Sequence, residues 1–180
     1  MIRRIYPLKR MLSPKTCEQI LRECHRAGDY EASRVSYEIN PDLRSSSSIH
    51  VPRSVSRVVF NNVMDLFYAA NRFYGFEVYH DVQMELIRYD SDTKDKFDWH
   101  TDDLPEDDAK SDRKLSMSIQ LSDFTEYSGC DLEIEGFDDL EFRDQGSVMV
   151  FPSYMKHRVT PCTRGTRHVL VAWMYGPEWR

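Results

Sequence analysis

The stretch S-V-M-V-F-P-S-Y-M-K-H-R-V-T-P-C-T-R-G-T-R-H-V-L-V-A-W-M-Y, residues 147–175, decides the fold class. Ser147 to Phe151 and Arg167 to Tyr175 are rich in Val, Leu and aromatic residues. They are bounded by Pro152-Ser153 and by Pro161 to Gly165, and such runs between turn residues read as strands. A further short strand is expected around His157. Working back from here, the same pattern marks Met84 to Tyr89, Phe97 to Thr101, Leu115 to Leu121, Asp131 to Ile134 and Glu141 to Phe142, about seven strands besides the short one.

The N-terminal part follows a different period. Ser13 is a helix N-cap with Pro14 at the first helical position, and Cys17, Ile20, Leu21 and Cys24 then make one apolar stripe. A second helix is expected from near Pro52, with Val55, Val58, Val59, Val63, Leu66 and Phe67 at helical spacing and Gly75 as its stop. Between the two, Tyr37 to His50 contains Asn40-Pro41 and the run Ser45 to Ser48, which favours a loop or a short edge strand. Helices followed only by strands predict a mainly β chain: an antiparallel double-sheet barrel with N-terminal helices packed on one outer face. At 180 residues the expectation is one domain, 1–180, with 1–80 as a helical support region and 81–180 as the barrel core.

Composition narrows the function classes. The chain is 41% hydrophobic and 12% aromatic, enough for a real core. Its net charge of -6 comes from interspersed acidic and basic residues, without the clustered Lys/Arg that phosphate backbones attract, so a nucleic-acid partner is disfavoured. Cys17, Cys24, Cys130 and Cys162 form no C-x-x-C pair and read as reduced thiols. The N-terminal M-I-R-R-I-Y-P-L-K-R lacks a signal-peptide core, and no run reaches membrane-spanning length, so the expectation is a cytoplasmic protein with no membrane partner.

The chemistry is concentrated in F-D-W-H-T-D, residues 97–102, and in the 157–167 stretch. On a strand, residues i and i+2 share a face, so His100 and Asp102 can reach a single ion. His157 brings a third ligand from a distant segment, and two imidazoles with one carboxylate suit a divalent iron with open positions. Asp98 is also two residues from His100 and is a rival ligand on the same face; Asp103 falls on the other. If Pro161 to Gly165 makes a hairpin turn, Arg167 lies nearly opposite His157 on a paired strand and faces the same interior. A buried guanidinium calls for a carboxylate-bearing partner.

The segments H-T-D, R-K-L-S-M-S-I-Q-L-S-D, Q-G-S-V-M-V-F-P-S-Y-M-K-H-R-V-T-P-C-T-R-G-T-R and W-M-Y-G-P-E-W-R together resemble the iron(II)/2-oxoglutarate-dependent dioxygenases of the prolyl-4-hydroxylase type, especially the PKHD-type hydroxylases. The likeness covers roughly the C-terminal half. It implies a double-stranded β-helix, or jelly roll, and it selects Asp102 over Asp98. It also implies Fe(II) held by His100, Asp102 and His157, with Arg167 binding the distal carboxylate of 2-oxoglutarate. O2 is the second cosubstrate, and ascorbate is compatible as a reductant. The family's cosubstrate tyrosine commonly lies nine residues before the first histidine, with a glycine between. Here Tyr89 is the candidate, eleven residues before His100 with no glycine intervening. Gly129-Cys130 stands where relatives often have Gly-Gly, and Val169 stands where a hydroxyl residue often follows the arginine.

The implied activity is hydroxylation of a peptidyl residue (prolyl-like), a free amino acid or another small molecule, with succinate and CO2 as co-products. The alternatives are a zinc-dependent hydrolase, which leaves Arg167 without a purpose, and a non-catalytic jelly-roll binding protein. Trp99, Trp173 and Tyr175 are candidates to line the pocket, against the commoner role of strand aromatics as core. His25, His50 and His80 have no partner at ligand spacing, and His168 alternates away from Arg167. The acidic run Asp103 to Asp112 is either a lid or a solvated loop.

Overall fold

The computed structural model describes residues 4–33, 40–103, 112–138, 140 and 142–179. In chain order the elements are β1 (Tyr6–Leu8), α1 (Pro14–Cys24), β2 (Glu31–Ala32), β3 (Arg44–Ser45), β4 (Ser47–His50), α2 (Arg57–Tyr74), β5 (Val82–Asp90) and β6 (Lys96–His100). They continue as β7 (Asp112–Gln120), β8 (Tyr127–Gly129), β9 (Leu132–Ile134), β10 (Val148–Pro152), β11 (His157–Val159) and β12 (Cys162–Gly176). The major sheet runs β1-β10-β7-β12-β5-β4-β2, with β8 on β12, and the minor sheet runs β3-β6-β11-β9. Every ladder is antiparallel.

Strand alternation sends the major sheet's side chains to two cores. Leu170, Ala172 and Met174 of β12, with Leu86, Leu115 and Ile119, pack against Cys17 and Ile20 of α1 and Val59, Val63 and Phe67 of α2. The opposite face, Ile87, Tyr89 and Val169, packs with Leu132, Ile134 and Val159 of the minor sheet. The result is an antiparallel double-sheet barrel with the helices on one outer face, as the sequence pattern predicts, in the double-stranded β-helix form that the resemblance implies.

Helix ends follow local chemistry. Ser13 caps α1, its hydroxyl accepting from the Thr16 amide at 3.1 Å. The second helix starts later than expected: Pro52 to Val55 form a turn, and Ser56 supplies the cap for α2 by accepting from Val59 N. Val58 is accordingly exposed. Gly75 ends α2 at φ 70, a left-handed position that costs glycine little. The Tyr37 to His50 connection contributes two short strands in its described part: β3 at the edge of the minor sheet, as expected, and β4 inside the major sheet between β5 and β2.

Two strand expectations need correction. Glu141 lies outside the described residues, and Phe142 is buried core outside any strand. Pro161 to Gly165 is no hairpin turn: β12 already begins at Cys162 and pairs there with β8, while β11 pairs with β6 and β9. The chain crosses here from one sheet to the other. Gly165, at φ 67, bends the strand where a Cβ would meet the Glu126 carbonyl, and it does not reverse the chain. His157 and Arg167 therefore stand in different sheets that face each other.

Candidate metal centre and cosubstrate cavity

His100 ends β6 and His157 begins β11, and the two are directly paired in the minor sheet's ladder. This cross-strand pair joins the two distant segments, and it takes the place opposite His157 that the expected hairpin assigned to Arg167. Their rings lie 4.2 Å apart between centroids. Asp102 arrives differently from the expected i, i+2 strand geometry, because β6 stops at His100. The chain bends, and the Asp102 amide donates to the Ser153 carbonyl at 2.8 Å, pinning the carboxylate to the turn after β10. Ligand atoms of His100, Asp102 and His157 all lie within 4.8 Å of one another, the spacing of donors that share one ion.

The protonation states fit such an ion. His100 Nδ1 faces the Asp98 carbonyl at 2.7 Å, and His157 Nδ1 faces the Met155 carbonyl at 2.9 Å. A carbonyl can only accept, so each Nδ1 carries the proton and each Nε2 turns its lone pair to the centre. The Nε2 atoms sit 3.5 Å from Asp102 Oδ1 and Oδ2 respectively. Ser116 Oγ donates to Oδ2 at 2.7 Å and contacts Ser153 Oγ at 3.0 Å. Burial works against the Asp102 charge, but the attraction of His157 and His100 in their protonated forms, with the bonds from His100 and Ser116, outweighs it. The carboxyl is held well below the usual carboxylate range. Burial pushes the His157 imidazole below its ordinary value, aided by His100 and opposed by Asp102 and the Met155 bond. A neutral imidazole and an ionised carboxylate are the metal-binding forms.

The same cavity holds Arg167 and Tyr89, partners across β12 and β5, with apolar walls from residues such as Ile87, Leu132, Val159 and Val169. Arg167 is only 1% exposed. Its Nε donates to Gln120 Oε1 at 2.8 Å, and its guanidinium carbon lies 5.8 Å from the Tyr89 ring centroid. Its Nη1 is buried with no hydrogen-bond partner among the described residues. A buried charged donor left unpaired costs more than about 1–3 kcal/mol, so the residues fit an anionic carboxylate in this space.

Trp173 lines the cavity, with the Arg113 guanidinium 4.3 Å from its ring. Trp99 and Tyr175 do not: Trp99 lies under Arg158, and Tyr175 donates to Gln83. Asp98 lies outside the group of His100, Asp102 and His157; its Oδ1 takes the Trp99 amide and its carbonyl orients His100. His25 and His80 bond Tyr30 and Tyr68, and His50 is exposed. His168 lies on the opposite face from Arg167, against His25 and Tyr30. Most of the acidic run, 104–111, lies outside the described residues, so the lid expectation does as well.

Sequence reasoning missed Arg44, Ser116 and Gln120. Arg44 of β3 is 6% exposed, lines the cavity, donates to Ser46 Oγ at 3.1 Å and lies 3.6 Å from Glu85. Nothing in its serine-rich surroundings marks it. Ser116 and Gln120 carried a signal: in L-S-M-S-I-Q-L every second residue is polar, which on a strand is one face of polar groups.

The model of the 2OG-Fe(II) oxygenase superfamily matches residues 84–175, and the chain belongs to that superfamily. It is therefore a 2-oxoglutarate-dependent dioxygenase of the hydroxylase kind, using Fe(II), 2-oxoglutarate and O2. A PKHD-type hydroxylase of Synechococcus sp. (strain CC9311) is 26% identical over 178 residues, covering 91% of this chain and 74% of that protein. A Pseudomonas putida prolyl-4-hydroxylase superposes with a TM-score of 0.74 at 18% identity, covering 97% of this chain and 93% of the other. A prolyl hydroxylase from Trichoplax adhaerens, solved with a hypoxia inducible factor peptide, gives a TM-score of 0.74 at 11% identity, covering 96% and 83%. No helix among the described residues is long and apolar enough to cross a membrane.

Proposed function

We propose that His100, Asp102 and His157 hold the iron, that Arg167 takes the distal carboxylate of 2-oxoglutarate beside Tyr89, and that the substrate is a peptidyl residue of prolyl-like kind. The observation that carries this reading is Arg167 Nη1, without a hydrogen-bond partner among the described residues, in the same cavity as two imidazoles and a carboxylate. Iron, 2-oxoglutarate and O2 supply the oxidising chemistry, splitting 2-oxoglutarate to succinate and CO2 as one oxygen atom enters a substrate C–H bond. The protein's residues do the positioning. Asp98 and Met155 carbonyls fix both imidazoles as Nε2 donors, and Ser116 restrains one carboxylate oxygen. Arg167 sets the far end of the cosubstrate, and the apolar walls exclude water between the two ends. A peptide rather than a free amino acid is supported by the likeness to hydroxylases, one of them solved with a peptide.

The test is succinate release by iron-reconstituted protein, with proline-containing peptides compared with free amino acids. Turnover that requires both iron and 2-oxoglutarate and rises with a peptide supports the proposal. Stimulation by free amino acids alone removes the peptidyl substrate, and turnover without iron or without 2-oxoglutarate removes the site assignment.

A further inference from the structure

The guanidinium at the far end of the cavity is held by one neutral amide, and the chemistry of that amide leaves it a single orientation. Gln120 is fully buried on β7. Its Nε2 donates at 3.0 Å to the Ser122 carbonyl and at 3.0 Å to the Tyr127 hydroxyl, so both amide hydrogens are used. A carbonyl can only accept and Arg Nε can only donate, so turning the amide over would break both ends at once. Oε1 is thereby committed to Arg167 Nε. That contact uses Nε and leaves Nη1 unsatisfied among the described residues. Gln120 also adds no charge, so the positive charge of Arg167 stays uncompensated for an arriving anion. A carboxylate at this position would have fixed the guanidinium equally well and cancelled its attraction.

We propose that Gln120, locked by Tyr127 and the Ser122 carbonyl, is the positioning residue that makes this cavity selective for an oxo acid carrying a distal carboxylate. The inference rests on the reading of Arg167 as the 2-oxoglutarate anchor. Val169, which faces the cavity without a hydroxyl to share the carboxylate, leaves Gln120 to fix the geometry of the anchor.

The experiment measures binding to Mn(II)-loaded protein by calorimetry, for 2-oxoglutarate and for 2-oxopentanoate, which has the same chain length and keto acid end but no distal carboxylate. Gln120→Leu is expected to weaken 2-oxoglutarate about tenfold to hundredfold, the range for a hydrogen bond to a charged group, and to leave 2-oxopentanoate unchanged. Gln120→Glu keeps the side-chain length and pairs with Arg167, although one oxygen then faces the Ser122 carbonyl, and it is checked with the leucine variant for retained fold by circular dichroism before binding is read. It is expected to lose 2-oxoglutarate at least as strongly while keeping 2-oxopentanoate. Variants that bind 2-oxoglutarate like the wild type, or that lose both oxo acids equally, overturn the role of Gln120. A wild-type protein that does not prefer 2-oxoglutarate over 2-oxopentanoate overturns the anchor itself, and the role of Gln120 with it.

Discussion

The two sheets hold opposite ends of one cavity and rely on different forces. Arg167 and Tyr89 sit in a ladder that runs unbroken from Thr166 opposite Asp90 to Met174 opposite Val82, and β12 gains a second partner in β7 from Val169 onward. His100 and His157 are joined by a short ladder whose register shifts between His157 and Val159, and Asp102 hangs from a bend by bonds to Ser153 and Ser116. The arginine end is thus fixed by backbone pairing before any ligand arrives. The triad end turns two imidazole lone pairs and a carboxylate toward one point, an arrangement that a cation relieves. Under the proposed assignment, the cosubstrate anchor is built into the long ladder of the major sheet, while the triad would be completed by the cation it binds.

The sharpest way to break this contrast is to cut each end in turn. His157→Ala removes a ligand, and loss of a mere supporting partner already costs 10–100-fold, so turnover and iron affinity should fall by more than about 100-fold. Circular dichroism should show the fold retained. Equilibrium dialysis with Fe(II) checks the affinity, and a variant that still binds iron like the wild type removes His157 from the site. Arg167→Ala should raise the apparent KM for 2-oxoglutarate roughly 10–100-fold, the range for lost charged hydrogen bonds, and leave iron affinity unchanged. If iron affinity falls with it, the two ends are not separate devices.

Metal removal sharpens the comparison further. An ion at about 100 times its dissociation constant adds about 2.7 kcal/mol, or roughly 5–10 °C in Tm for a chain of this size. The gain should be local. Hydrogen exchange should slow at β6 and β11 when Mn(II) is added and stay unchanged along β5 and β12; uniform protection of both sheets would refute the division.

The same contrast explains what the sequence revealed. The long ladders of the major sheet announce themselves, because Met84 to Tyr89 and Arg167 to Tyr175 are continuous runs with no competing reading. The three candidate ligands are legible as residue types, yet the geometry that gathers them is not. H-T-D suggested a strand face, and the bend at Asp102 depends on a bond to Ser153, fifty-one residues away. The hairpin expected at Pro161 to Gly165 failed for a similar reason, since proline and glycine mark a change of direction without saying whether the chain reverses or crosses to another sheet. Arg44 was hidden altogether: its burial is created by Glu85 and Phe97, and local composition carries no trace of either contact.

The smallest effect tests whether the major sheet is as insensitive as its ladders suggest. His168 occupies the back of the Arg167 strand, facing His25, Tyr30, Arg88 and Asp90. Burial, with His25 and Arg88 nearby and Asp90 opposing, pushes its imidazole down to about 4 from an ordinary 6.5. The folded state therefore resists the proton that the unfolded chain takes up readily. Stability is full above the unfolded value, declines as pH falls from about 6.5 toward 4, and levels off below that. Between pH 7 and pH 5 the loss amounts to about 2 kcal/mol at most, at 1.36 kcal/mol per pKa unit. His168→Gln should flatten this part of the stability curve in urea titrations at the two pH values. Arg167 bonds Gln120 on the other face of the strand, so 2-oxoglutarate affinity at pH 7 should not move. An unchanged slope would mean that His168 takes up its proton in the folded state as readily as in the unfolded chain, and that the acid sensitivity of the protein belongs to the triad end alone.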